Sequence, residues 1–215
     1  GMARLAPITT PDVKDRYLAE KIYGFPAGPA ALMASVGAIG VHPDNYASDF
    51  DHDFETATPY YYAADLESWG IKAELTASKE AAFYRFTFPA SGHAHLVLHM
   101  EGDAEITVDG DRAVQGSARI AGPIGPTVGT AGETREYFYA EFSRPFTSYQ
   151  TWQDGTLGHA AQQSSDHIGF VTDGVTHAGE RIDGRFCISY ISVEQARRNL
   201  QGEVPDWNFE DTKSG

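Results

Sequence analysis

The densest set of groups able to do chemistry lies between residues 44 and 55, where Asp44, Asp49, Asp51, Asp53 and Glu55 surround His52. Several oxygen donors converging from a flexible loop are what calcium requires. The alternation Asp49-x-Asp51-x-Asp53 opens like a helix-loop-helix calcium loop, but Phe54 stands where the turn needs Gly and Tyr60 where the closing acid belongs. That signature fails, leaving a solvated acidic loop or another calcium geometry. The acids around His52 raise its expected pKa.

Other chemistry-bearing residues are more scattered. His93, His95 and His99 share one parity of a strand, a start for a zinc site, but no Cys or second acid accompanies them at ligand spacing, so no metal-ligand set is assigned. Trp152, followed by Asp154-Gly155 at a strand end, is either a core residue or an aromatic platform for a sugar face, as is the cluster Tyr60, Tyr61 and Tyr62. Cys187 lies in an apolar run and reads as a small buried hydrophobe. The segment GPIGPTVG within 122–132 lacks the Lys-Ser/Thr of a phosphate loop and reads as an ordinary Gly/Pro loop.

The elements that must position these groups are strands. From 71 to 78, Ile71, Ala73, Leu75 and Ala77 alternate with Lys72, Glu74, Thr76 and Ser78, the pattern of a half-buried antiparallel strand. Runs 60–66 and 83–88 flank it, with a turn at Gly70 and a stop at Pro89, predicting a three-stranded meander fed by the acidic loop. Further strands are predicted at 95–100, at 104–108 as its hairpin partner through the turn Glu101-Gly102-Asp103, and at 112–120, 137–142, 147–152, 167–172 and 184–191. The last of these is almost wholly apolar and so central. Ser192-Val193-Glu194-Gln195 is a capping box opening a short helix that Gly202 and Pro205 stop. Thr10-Pro11-Asp12 suits a helix start, whereas 22–40, rich in Gly, Ala and Pro, reads as an ordered loop and 206–215 carries no helix or strand signal.

The fold class is therefore all-β: a large antiparallel β-sandwich, supersandwich-like, with a short C-terminal helix. Residues 1–49 are expected as an irregular segment packed on a sandwich domain spanning 50–215. At 215 residues and 41% hydrophobic, the chain buries a core without disulfides. A formal charge of −14 and a pI near 4.8 oppose nucleic acid and anionic membrane surfaces as partners. No apolar run reaches the length of a membrane span. Gly1-Met2 reads as a scar before a native or internal methionine, and no export leader is visible.

Three stretches then carry a family likeness. His52-x-x-Glu55-x-Ala57-x-Pro59-x-Tyr61-Tyr62, the run Ile71-Lys72-Ala73-Glu74-Leu75-Thr76-Ala77, and Phe83-Tyr84-Arg85-Phe86-Thr87-Phe88-Pro89 resemble the N-terminal domain of glycoside hydrolase family 92, the exo-acting α-mannosidases. The likeness resumes at YFYAEFSRPF and at ISYISVEQARRNLQGEVPDWNFED, covering about 50–211. It implies a β-sandwich packed on a helical-barrel catalytic domain, with calcium-dependent, inverting hydrolysis of terminal mannose at their interface. Both catalytic acids then belong to the barrel, so no residue of this chain is catalytic, and calcium is expected on the missing domain. His52 and Glu55 are the residues expected to face substrate or interface. The family's usual Gly is replaced by Tyr60, its Arg and His near the third strand by Glu80 and Tyr84, and its His-rich loop by GFPAGPAALMASVGAIG. The resemblance also implies a secreted or periplasmic setting and a mannose-containing glycan as partner. A stand-alone carbohydrate-binding sandwich, or a ligand-free scaffold whose exposed face forms a homodimer, are the competing expectations.

Overall fold

Short apolar runs parted by Gly-, Pro- and Asp-bearing turns fold here into antiparallel strands. The structure, a computed structural model, describes residues 5–9, 18–120 and 134–214. The helix start expected at 10–12 and the loop expected at 122–132 lie outside these residues. In chain order the first elements are β1 (Ile8–Thr9), β2 (Lys21–Ala27), β3 (Ala30–Val36), α1 (Pro43–Tyr46), β4 (Ser48–Asp49), β5 (Thr56–Thr58), β6 (Tyr61–Leu66), β7 (Ile71–Ala77) and β8 (Ala81–Phe88). They are followed by β9 (Ser91–Asp109), β10 (Ala113–Ile120), β11 (Thr134–Phe142), β12 (Ser148–Gln153), β13 (Thr156–Gly158), β14 (Gln162–Thr176), β15 (Glu180–Ser189), α2 (Val193–Glu203) and α3 (Phe209–Ser214).

The long strand β9 organises the sheet. On one edge its first half pairs with β3, from Val36↔Ala94 to Ala30↔Met100, and its second half with β10, from Ala118↔Ala104 to Ala113↔Asp109. On the other edge β14 runs beside both halves. The ladder therefore forks between Met100 and Ala104. One branch continues through β3 to β2, and the other through β10, β11, β15, β8, β7 and β6 to β5. The branches face each other across one apolar core. Phe25 of β2 lies 6.1 Å from the ring of Tyr62 and 6.2 Å from that of Phe86, both on the far branch. This is the all-β sandwich that the alternation predicts.

At the fork β9 carries a bulge. Ser165 pairs with Ala104 and His167 with Glu101, so two steps along β14 face three along β9. Gly102 absorbs the extra residue at φ 76°, a left-handed conformation costly for any residue with a side chain. The hairpin expected at Glu101-Gly102-Asp103 is thus absent: Gly102 bends one continuous strand rather than reversing it.

The meander is present as β6, β7 and β8 in consecutive register. The loop expected at 22–40 instead contains β2 and β3. Leu32, Met33 and Ala34 are all buried in succession, so β3 is covered on both faces and shows no alternation to read. A segment of 1–49 thus belongs to the sheet itself. Strand β15 sits between β11 and β8, as its apolar run predicts.

A second apolar layer, formed by Tyr61, Phe83, Tyr139, Cys187, Ala196, Leu200 and Phe209, seals α2 and α3 onto the outer face of the larger branch. Ser192 caps α2 by accepting the Gln195 amide at 3.2 Å, but the Gln195 side chain donates to Asn199 Oδ1 and does not complete the capping box. The tail that carried no signal includes α3. Its Phe209 packs edge-on to Phe83 at 5.3 Å and lies under the Arg85 guanidinium at 4.4 Å.

Candidate functional site

His52 and Glu55 stand on a single 3-10 turn, His52–Phe54, that leads into the edge strand β5. Asp51 starts this turn by accepting the Asp53 amide at 2.9 Å. His52 Nδ1 lies 2.8 Å from Glu55 Oε2 and Nε2 lies 3.0 Å from the Ala19 carbonyl oxygen. The ring also meets Phe50 edge-on at 4.6 Å. The hydrogen bond to Glu55 is the main cause of a raised His52 pKa, opposed by desolvation. The pair ties the acidic loop to the segment before β2 and leaves both side chains partly open to solvent. Beneath it, the Tyr62 hydroxyl is buried, with no partner at hydrogen-bond distance among the described residues; burial first, and then its interaction with the nearby Glu55 carboxylate, raise its pKa.

Around this pair the surface is apolar in places. All three residues of β5 are exposed, and Phe54 before it and Tyr60 after it are 67% and 57% exposed. Of the tyrosine cluster only Tyr60 offers a free ring. Tyr61 and Tyr62 turn to opposite faces of β6 and are buried.

Trp152 offers no sugar platform. It is 2% exposed, and its ring fills the place where a side chain at Gly169 would stand, since a Cβ there would come within 2.0 Å of Cζ2. Cys187 is buried, and desolvation pushes its thiol up to about 12, so it is inert as a nucleophile.

The acids of the loop do not converge on one point. Asp49 accepts from Ser68 Oγ and lies 3.7 Å from Lys21 Nζ, Asp51 caps the turn, and Glu55 is engaged by His52. These residues do not form the multi-oxygen cage calcium requires.

The histidines of β9 divide. His93 Nδ1 faces Asp173 at 3.2 Å. Buried His95 has Nδ1 2.8 Å from the Thr172 carbonyl oxygen and Nε2 2.8 Å from that of Gly37, which occupies both nitrogens. His99 instead meets Glu101 on its own strand and His167 on β14, and the ligand atoms of all three lie within 4.8 Å of one another. His99 and Glu101 also line an open cleft of about 580 Å³ shared with Tyr23, His42, Asp44 and Tyr46. Burial lowers the His99 pKa, outweighing the Glu101 carboxylate. Sequence reasoning stopped at His99 because its partner His167 is far along the chain and joins it only through the β9–β14 register.

The whole chain fits a known pattern. Residues 1–189 match the glycosyl hydrolase family 92 N-terminal domain. No curated protein sequence matches the chain significantly. A family GH92 inverting mannosidase from Bacteroides thetaiotaomicron superposes with a TM-score of 0.82 at 25% identity, over 92% of this chain and 28% of that enzyme. A second GH92 family glycosyl hydrolase gives 0.83 at 25% identity, over 100% of this chain and 32% of its own. A further Bacteroides thetaiotaomicron family GH92 α-mannosidase, solved with mannoimidazole, gives 0.81 at 24% identity, over 92% and 29%. The chain thus spans no more than about a third of the length of these solved enzymes. By its matched residues and its sandwich, the chain belongs to glycosyl hydrolase family 92, as that family's N-terminal domain.

Proposed function

We propose that the chain is the non-catalytic N-terminal domain of an inverting α-mannosidase, supporting a helical-barrel catalytic domain and shaping the rim of a pocket for terminal mannose. The observation that carries this reading is the superposition on an inverting mannosidase of which more than two thirds has no counterpart here. Inversion takes one carboxylic acid to protonate the leaving oxygen and a carboxylate on the opposite face to activate water. In this reading both come from the barrel, together with the donors for calcium, the carboxylates of Asp49, Asp51 and Glu55 being engaged by separate partners. Calcium would supply positive charge to orient the sugar.

The chain's own contribution is positioning. The sandwich occupies 50–215 together with the strands drawn from 1–49. The side of the sandwich at β5 suits that contact: an exposed edge, two large exposed aromatic rings, and the His52–Glu55 pair holding the loop between them. Aromatic residues dominate the energetics of such contacts once desolvated. In the product of the complete reading frame, Phe54→Asp combined with Tyr60→Asp lowers kcat/KM for an α-mannoside about tenfold or more, through misplacement of the pocket rim. The far-UV circular dichroism stays unchanged. Unaltered kcat/KM would remove this face from the account.

A further inference from the structure

The geometry points to a divalent transition-metal site formed by His99, Glu101 and His167 at the fork of the sheet, and we propose that it takes zinc. It does not depend on the mannosidase reading, and none of its residues belongs to the motifs that carry the family likeness.

Three features of the fold bring the donors together. His99 and Glu101 are two apart on β9 and so share a face, and His167 on β14 stands directly opposite Glu101. The bulge beginning beside Glu101 breaks the regular ladder at this point, a device that re-aims side chains locally. The fork removes the neighbouring strand: β3 ends its pairing at Met100 and β10 begins at Ala104, so Glu101 is not covered from that edge. His99 is well buried, its side chain 13% exposed, and anchors the set from below, while Glu101 at 69% is free to swing.

The donor set selects the metal. Two imidazoles with one carboxylate suit zinc and its neighbours, whereas calcium and magnesium want oxygen throughout. The same His₂-carboxylate composition with an open fourth position occurs in zinc enzymes. Tetrahedral zinc with bonds near 2.0–2.1 Å holds its donors roughly 3.3 Å apart. The present donors lie within 4.8 Å, so modest rotation of exposed Glu101 and His167 closes the site. His99 and Glu101 also line the cleft shared with Tyr46, His42 and Asp44, from which water or a small anionic ligand would reach the metal.

The test is calorimetric titration of zinc chloride into the 215-residue chain, made without a polyhistidine tag and stripped with chelator. One equivalent of zinc binds and is not displaced by about a hundredfold excess of calcium. His167→Ala and Glu101→Ala each raise Kd about tenfold or more, a loss of roughly 1.4 kcal/mol or greater. Both side chains are exposed, so both variants keep the wild-type circular dichroism. His93→Ala, which removes another imidazole of β9 outside both the donor set and the cleft, leaves Kd unchanged. Cobalt in place of zinc quenches the fluorescence of Trp152, whose ring lies 6.2 Å from that of His99, and the quenching disappears in His167→Ala. Absence of zinc binding up to about 1 mM, or equal Kd in wild type, His167→Ala and Glu101→Ala, overturns the proposal.

Discussion

The imidazole of His52 is held between two acceptors, the Glu55 carboxylate at 2.8 Å and the Ala19 carbonyl at 3.0 Å. A neutral ring has one N–H and satisfies one of them; the imidazolium donates to both. That accounts for the raised pKa, with the hydrogen bond to Glu55 as its main cause. A folded-state pKa above the unfolded value means that the stabilisation is fully present below the unfolded value, about 6.5, and is lost as pH rises through the folded value. The melting temperature should therefore fall between pH 6 and pH 8.5 by more in the wild type than in Glu55→Gln. At pH 6 the variant should be less stable by about 1 kcal/mol, the low end for a charged hydrogen bond because the pair is partly solvated. Parallel pH profiles in thermal melts would show that the pair does not hold the loop. The acids near His52 were legible in the sequence as the cause of a raised pKa. Its bond to Ala19, across 33 residues, was not.

At the scale of elements, the strands with one solvated face were readable and those with two covered faces were not. Ile71, Ala73 and Leu75 of β7 are buried while Lys72 is exposed, so the alternation survives in the sequence. In β3 consecutive residues are buried on both sides, and small side chains replace the branched residues that usually mark a buried strand. The C-terminal tail was hidden for another reason: its attachment is made by arginines of the sheet. Arg85 of β8 reaches Asp183 of β15 through Nε at 3.0 Å and Nη2 at 3.1 Å, and Glu210 of α3 through Nη1 at 3.2 Å. Arg185 donates to the carbonyl oxygens of Val204 and Pro205 at 2.7 and 2.9 Å and stacks over Trp207 at 4.0 Å. No local pattern encodes such a strap. Asp183→Ala leaves the Arg85 charge without its bidentate partner and should cost about 3–5 kcal/mol. The joint change Arg85→Met with Asp183→Leu should cost clearly less, since no uncompensated charge is left. Equal losses in urea unfolding of the two proteins would refute the ion-pair explanation.

Across the whole molecule, the fork in β9 turns one continuous ladder into two facing branches, and an open cleft lies beside it, lined by β2, β3, α1 and the β9 residues His99 and Glu101. The helices α2 and α3 seal the outer face of the larger branch, whose β5 end is an exposed edge. The net charge of −14 was informative about partners to exclude and silent about the partner to expect. The family likeness filled that gap through motifs spread along the chain, which the fold gathers into the meander and the strapped C-terminal end. On the proposed reading, the sandwich is a support and another domain completes the chemistry. The most direct test is α-mannobiose hydrolysis, with the anomer of the released mannose followed by NMR, for the 215-residue chain and for the product of the complete reading frame. The account predicts no turnover by the chain alone, inverted product from the complete protein, and loss of that activity when calcium is chelated. Turnover by the chain alone, or none by the complete protein with calcium present, would contradict it.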